Sequence, residues 1–165
     1  LGCGVGGGRG GAGKVSAGNH GDGRGSGAGA WVRAGQGNRV GTDGTGTQPL
    51  GNGQVGGHVR ADNATIGGTT SGAGNVIANN GFSGVRVEPN FVGATIRGNS
   101  VYGNGEAPGG KGVGIDLGSD GVTANDLGDG HTGPNQLQNF PIITSAVPPA
   151  GPLGSDPMSS REVRP

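Results

Sequence analysis

Five residues recur at an interval that would let them do proton chemistry: His58 and Arg60, then Arg86 and Glu88, then Asp116. They close three short stretches of one form, Gly56-Gly57-His58-Val59-Arg60, Gly84-Val85-Arg86-Val87-Glu88 and Gly112-Val113-Gly114-Ile115-Asp116. A base can take a proton beside a carboxylate that a neighbouring cation holds. Two carboxyls about 5–10 Å apart, as Glu88 and Asp116 would be on successive copies, are the apparatus of glycoside hydrolysis. The plainer reading is an ion pair, Arg60 against Glu88, on a solvated face, worth about 0.2–1 kcal/mol.

Other residues offer other chemistry. Asp116, Asp120, Asn125, Asp126 and Asp129 crowd one glycine-turned stretch. Oxygen ligands on such a loop suit Ca²⁺, so Asp116, Asp120, Asp126 and Asp129 are candidate calcium ligands. The spacing matches no EF-hand, His131 adds a nitrogen that Ca²⁺ does not favour, and Asp and Asn are ordinary turn residues. The chain points to no other cofactor. Trp31, the one tryptophan, stands near Arg33. With Arg97 of the third copy these make a candidate sugar platform, an exposed aromatic beside donors. The alternative is that Trp31 packs under the polar loop 41–54. Gly8 to Lys14 has the spacing of a phosphate-binding loop, but Val15 stands where the magnesium-binding hydroxyl belongs, and a nucleotide site is not expected.

These residues need elements to hold them, and the chain supplies one pattern three times between 30 and 117. The copies open Ala30-Trp31-Val32-Arg33, Ala64-Thr65-Ile66-Gly67 and Ala94-Thr95-Ile96-Arg97. Each continues with a Gly-Asn pair and an apolar alternation: Gly37-Asn38-Arg39-Val40, Gly74-Asn75-Val76-Ile77, Gly98-Asn99-Ser100-Val101. Each closes on the stretches quoted first. Aligned, one face reads Val32/Ile66/Ile96, Val40/Ile77/Val101 and Val59/Val87/Ile115, β-branched columns that suit a buried pleat. The other face reads Trp31/Thr65/Thr95, His58/Arg86/Gly114 and Arg60/Glu88/Asp116. A copy too thin to bury its own apolar face must stack on a neighbour. Three strands per copy, stacked at ~4.8 Å, predict an all-β parallel β-helix, a single-stranded solenoid of about three rungs. Asn38, Asn75 and Asn99 would stack as an amide ladder at one corner.

Composition bounds the rest. The 165 residues include 44 Gly and 10 Pro, a share at which disorder is the ordinary expectation. Against disorder, net charge is zero and 18 of the 30 Leu, Ile, Val and Phe fall at repeating positions in 30–117. The balance of 11 basic and 11 acidic residues leaves no footprint for nucleic acid. No apolar run approaches the ~20 residues of a membrane span. Cys3 stands alone, so no intrachain disulfide forms. No start Met or charged leader precedes the body, which reads as an internal segment whose partners include further rungs of a parent chain.

Four regions follow. Residues 1–29 are a Gly-rich segment, an incomplete rung or disordered, with Val15-Ser16 as the middle strand of an earlier rung. Residues 30–117 are the rungs. Residues 118–147 are an Asp-rich turn and an apolar cap of Leu137, Phe140, Ile142 and Ile143 over the open end. Residues 148–165 are a Pro-rich tail.

The phrases NRVGTDGTGTQPLGNG, ATIGGTTSGAGNVIANNG and GIDLGSDGVTANDLGDGHTGPNQLQNFPIITSA closely resemble the right-handed parallel β-helix repeat proteins of bacterial surfaces and secretions, over about residues 36 to 146. These are similar in fold to pectate lyases. The resemblance implies a right-handed coil, a secreted or cell-surface location, and a structural or adhesive segment of a larger protein presenting a polar face to polysaccharide or surface glycan. The alternative it implies is a polysaccharide lyase or glycoside hydrolase acting on an acidic polysaccharide, with His58, Arg60, Arg86, Glu88 and Asp116 on its outer face.

Overall fold

The computed structural model describes residues 15–17, 30–31, 34–106 and 112–145. It is all-β, with almost no helix. Eleven short strands are described: β1 (Val15–Ser16), β2 (Ala30–Trp31), β3 (Ala34–Gly35), β4 (Arg39–Val40), β5 (Gly57–Val59), β6 (Thr65–Gly67), β7 (Val76–Ala78), β8 (Val85–Val87), β9 (Thr95–Arg97), β10 (Ser100–Tyr102) and β11 (Ile115–Leu117). They form three sheets, ordered β1-β4-β7-β10, β2-β5-β8-β11 and β3-β6-β9. Every strand pair in them is parallel. Parallel neighbours need a long crossover between them. Here the crossover is two strands of the other sheets, so the chain visits the three sheets in fixed rotation.

The interior follows from side-chain alternation. In β5 and β8 the outer positions Gly57, Val59, Val85 and Val87 are buried, and His58 and Arg86 between them are partly exposed. Ile66 and Ile77 come in from the other two sheets, and with Val40, Val59, Val85, Val87, Ala64 and Ala94 they make one cluster. Each fully buried valine or isoleucine here is worth about 1.5–3 kcal/mol.

Corners are set by amides and glycines. Asn38 donates its backbone N–H (2.9 Å) and its side-chain amide (3.0 Å) to Asn75 Oδ1. Asn75 repeats this to Asn99 Oδ1, at 3.0 and 2.7 Å. Asn75 and Asn99 also donate to the carbonyls of Gly35 and Ile66. A second ladder, not anticipated, runs Asn52, Asn80, Asn104 with the same double bond at each step. Its sequence signal is an Asn-Gly pair after each middle strand: 52–53, 80–81 and 104–105. Gly67 turns one corner at φ +82, where an added Cβ would lie 2.3 Å from Arg97 O.

Two expected alignments are corrected. The first strand of the first copy is Ala34–Gly35, which pairs with Thr65 and Ile66, and not Ala30–Arg33. Ala30 and Trp31 pair instead with His58 and Val59 in the second sheet. Val32 resembles Ile66 as a core residue, whereas a buried Gly35 carries no apolar signal. The last strand is shifted by two. Ile115, Asp116 and Leu117 pair with Val85, Arg86 and Val87, so the outward column is His58/Arg86/Asp116, and Arg60/Glu88/Asp116 is not a column. A shift of two keeps the same faces in and out, so alternation cannot detect it.

The expected apolar cap is thinner than its sequence implies. Leu137 and Phe140 line a cavity of about 280 Å³ with Ile115 and Leu117, but Ile142 and Ile143 are exposed. The residue that leads into the last strand of the third sheet is met by a side chain. Asn135 accepts from Ala94 N–H (2.8 Å) and donates to Ala94 O (2.6 Å), as a neighbouring strand's backbone would.

Candidate functional site

The five residues first singled out lie on the outer face of the second sheet, and the structure brings them together. Because buried inward residues flank them, Gly57 and Val59 about one and Val85 and Val87 about the other, His58 and Arg86 point out, one above the other. His58 Nδ1 lies 2.6 Å from Glu88 Oε1. Arg60 Nη2 lies 3.5 Å from the same oxygen. Glu88 Oε2 accepts from the Ser119 hydroxyl at 3.4 Å.

Asp116 makes the second half of the strip. Its Oδ2 accepts from Arg86 Nε and Ser83 Oγ, each at 3.2 Å. Its Oδ1 accepts the backbone N–H of Ser119 (3.1 Å) and Gly121 (3.3 Å). The carboxylate is only 1% exposed, and a buried charge needs this number of donors. Ser119 joins the halves, giving its N–H to Asp116 and its hydroxyl to Glu88. Ser83 and Ser119 escape sequence reasoning because serine in a glycine-rich loop has no distinguishing pattern.

The titration of the pair follows from these contacts. Burial pushes the His58 imidazole below its ordinary 6.5. The bond and charge of Glu88 oppose this without reversing it, and Arg60 and Arg86 add to the lowering. Burial alone would raise Glu88, but its bond to His58, then the charges of His58 and Arg60, hold it below 4.5. At neutral pH a neutral imidazole therefore donates Nδ1–H to a carboxylate, leaving Nε2 as the basic nitrogen. An oriented imidazole between two guanidiniums can accept a proton from a bound acid.

The remaining site residues fall elsewhere. Trp31 stands in the second sheet in register with Val59, and so not in the Thr65/Thr95 column expected for it. Arg97 is exposed on β9 of the third sheet, so Trp31 and Arg97 are on different sheets. Arg33 lies outside the described residues. Of the four acids read as calcium ligands, Asp116 is engaged by Arg86 and Asp120 stands exposed. Asp126 and Asp129 converge with His131, their ligand atoms within 4.8 Å of one another. In the polar loop, Asp43 accepts from the Thr45 hydroxyl and from the N–H groups of Gly46, Thr47 and Gln48. The Thr45 bond leads in holding its carboxyl below the usual range. Among the described residues, no helix is long and apolar enough to cross a membrane.

Comparison with protein-family models, with curated proteins and with solved structures finds no match to this chain.

Proposed function

We propose that the chain is a stretch of right-handed parallel β-helix, a solenoid that serves as a structural or adhesive segment of a larger extracellular bacterial protein. The rotation of the strands through three parallel sheets, with amide ladders at two corners, supports the coil. The right hand, the location and the glycan partner rest on the resemblance of the sequence phrases. One observation carries the structural role: the charged residues of the outward strip are consumed by one another. Glu88 is shared by His58, Arg60 and Ser119, and both oxygens of Asp116 are taken. Such closed pairs clamp successive circuits and leave little reactivity for a substrate.

A second reading rests on the oriented, neutral His58. With Arg60 and Arg86 beside it, it has the parts of a base that takes a proton next to a substrate carboxylate, as in a polysaccharide lyase. One assay separates the two. Arg86→Ala with Glu88→Ala in the whole chain, offered acidic polysaccharides, abolishes turnover if the site is catalytic. The structural reading predicts no turnover in either protein and unchanged glycan retention on an array. Chain cleavage by the unmutated protein, lost in the double variant, would overturn it.

A further inference from the structure

The loop that carries Asp126, Asp129 and His131 brings three metal-ligating side chains together. Asp126 uses Oδ2 to accept Gly130 N–H at 3.1 Å, and Asp129 uses Oδ1 to accept Asn139 N–H at 2.8 Å. Each carboxylate is thus pinned by a hydrogen bond to one of its oxygens. His131 Nδ1 is shut off from solvent and makes no hydrogen bond. It lies 3.4 Å from Asp126 Oδ1, an ion-pair distance if the ring is protonated. A buried polar atom without a partner needs an explanation, and an ion is one of the few available. Among the described residues neither carboxylate pairs with Lys or Arg, so two negative groups converge with no fixed cation between them.

The loop is also braced from outside. Asn125 exchanges two bonds with the backbone of Phe140, at 2.9 and 2.8 Å. Asn139 exchanges two with the backbone of Asp126, at 3.0 and 2.7 Å. These brace the loop through backbone groups and the Asn125 and Asn139 amides, and none of them uses a carboxylate oxygen of Asp126 or Asp129 or the His131 ring.

We infer that Asp126, Asp129 and His131 form a binding site for a divalent transition-metal ion of the zinc class, held by one imidazole nitrogen and two carboxylate oxygens. An all-oxygen set would suit Ca²⁺, whereas one nitrogen with two carboxylates suits Zn²⁺ or its neighbours. Three protein ligands leave a fourth position open to water. The competing account is an imidazolium drawn to Asp126 by charge alone.

The test is calorimetric titration of Zn²⁺, and separately Ca²⁺, into the whole chain carrying C3S and H20A, which removes a thiol and an imidazole that could also bind Zn²⁺. One equivalent of Zn²⁺ should bind. His131→Ala and Asp129→Asn should each weaken it by more than the ~10–100-fold that loss of an outer partner brings. The far-UV spectrum of each variant should stay unchanged. If His131→Ala misfolds, ring-nitrogen NMR of the unmutated histidine replaces it, and Nδ1 must shift on adding Zn²⁺. No saturable Zn²⁺ binding, binding that His131→Ala leaves intact, or preference for Ca²⁺ would each overturn the inference.

Discussion

His58 and Glu88, thirty residues apart in sequence, meet diagonally between adjacent circuits, Glu88 standing just past the end of β8, with Nδ1 and Oε1 2.6 Å apart. The contact ties one circuit of the chain to the next at its outer face. Its titration gives a direct test. The folded imidazole sits below 6.5, so on acidification the unfolded chain takes the proton first, and stability falls as pH drops through that value. Glu88, held below 4.5, adds stability above that value that is lost as pH falls through its lowered folded value. Thermal midpoints taken from pH 7 to pH 4 should decline throughout. In His58→Gln the upper part of that decline should vanish, and an unaltered slope would refute the assignment.

Asp116 has a heavier role than Glu88, because it is buried. Asp116→Ala removes the acceptor of Arg86, Ser83 and two backbone N–H groups at once. Breaking a buried pair costs about 3–5 kcal/mol, and the partly exposed Arg86 places this one near the lower end. Urea unfolding should show that loss, with Arg60→Ala, at an exposed contact, changing stability by less than about 1 kcal/mol.

The middle of an amide ladder should matter more than its end. Asn75→Ala strands the Asn38 N–H and amide that it accepts, and also its own bond to Gly35. Unsatisfied buried groups cost about 1–3 kcal/mol each, so a loss of at least ~2 kcal/mol is expected. Asn99→Ala strands the Asn75 N–H and amide in the same way, but Asn99 is only partly buried and water can replace some of what is lost, so it should lose less. A larger loss at Asn99 than at Asn75 in denaturant titration would contradict this ordering.

Gly67 and Gly72 make a matched pair. Both have positive φ, +82 and +77, but a Cβ at Gly72 meets nothing within 4 Å while one at Gly67 strikes Arg97 O. Gly72→Ala should cost about 1 kcal/mol from backbone strain alone. Gly67→Ala should cost clearly more, since the corner itself must open. Comparison of the two midpoints isolates the close approach from the dihedral.

Much of this was legible because parallel stacking repeats one residue type in one column. Val40 over Ile77 over Val101, and Asn38 over Asn75 over Asn99, can be read from spacing alone. The misreadings share a physical cause. Alternation fixes which face a residue occupies but not which partner it meets, and so the last strand could be placed two residues off. That moved Asp116 from beside Glu88 to beside Arg86. At Gly35 the interior position is held by a residue with no side chain to announce it. Asp126, Asp129 and His131 converge through bonds from Gly130 and Asn139, which no periodic pattern encodes.

The second amide ladder also bears on how the protein ages. Asn-Gly is the sequence most prone to deamidation, in which the glycine nitrogen attacks the asparagine side chain, ammonia leaves, and water opens the ring to aspartate or its isomer. Here the Gly81 nitrogen donates to Asn52 O and the Gly105 nitrogen to Asn80 O, both at 2.8 Å, while the amides of Asn80 and Asn104 are locked in the ladder. The folded corner thus holds nucleophile and electrophile apart. We expect the folded protein to keep its mass for weeks in neutral buffer while the urea-unfolded chain gains acidic isoforms, and equal rates would sink the idea. Each such conversion places a negative charge in a column built for neutral amides, so time spent unfolded is recorded in the covalent structure and hinders the return.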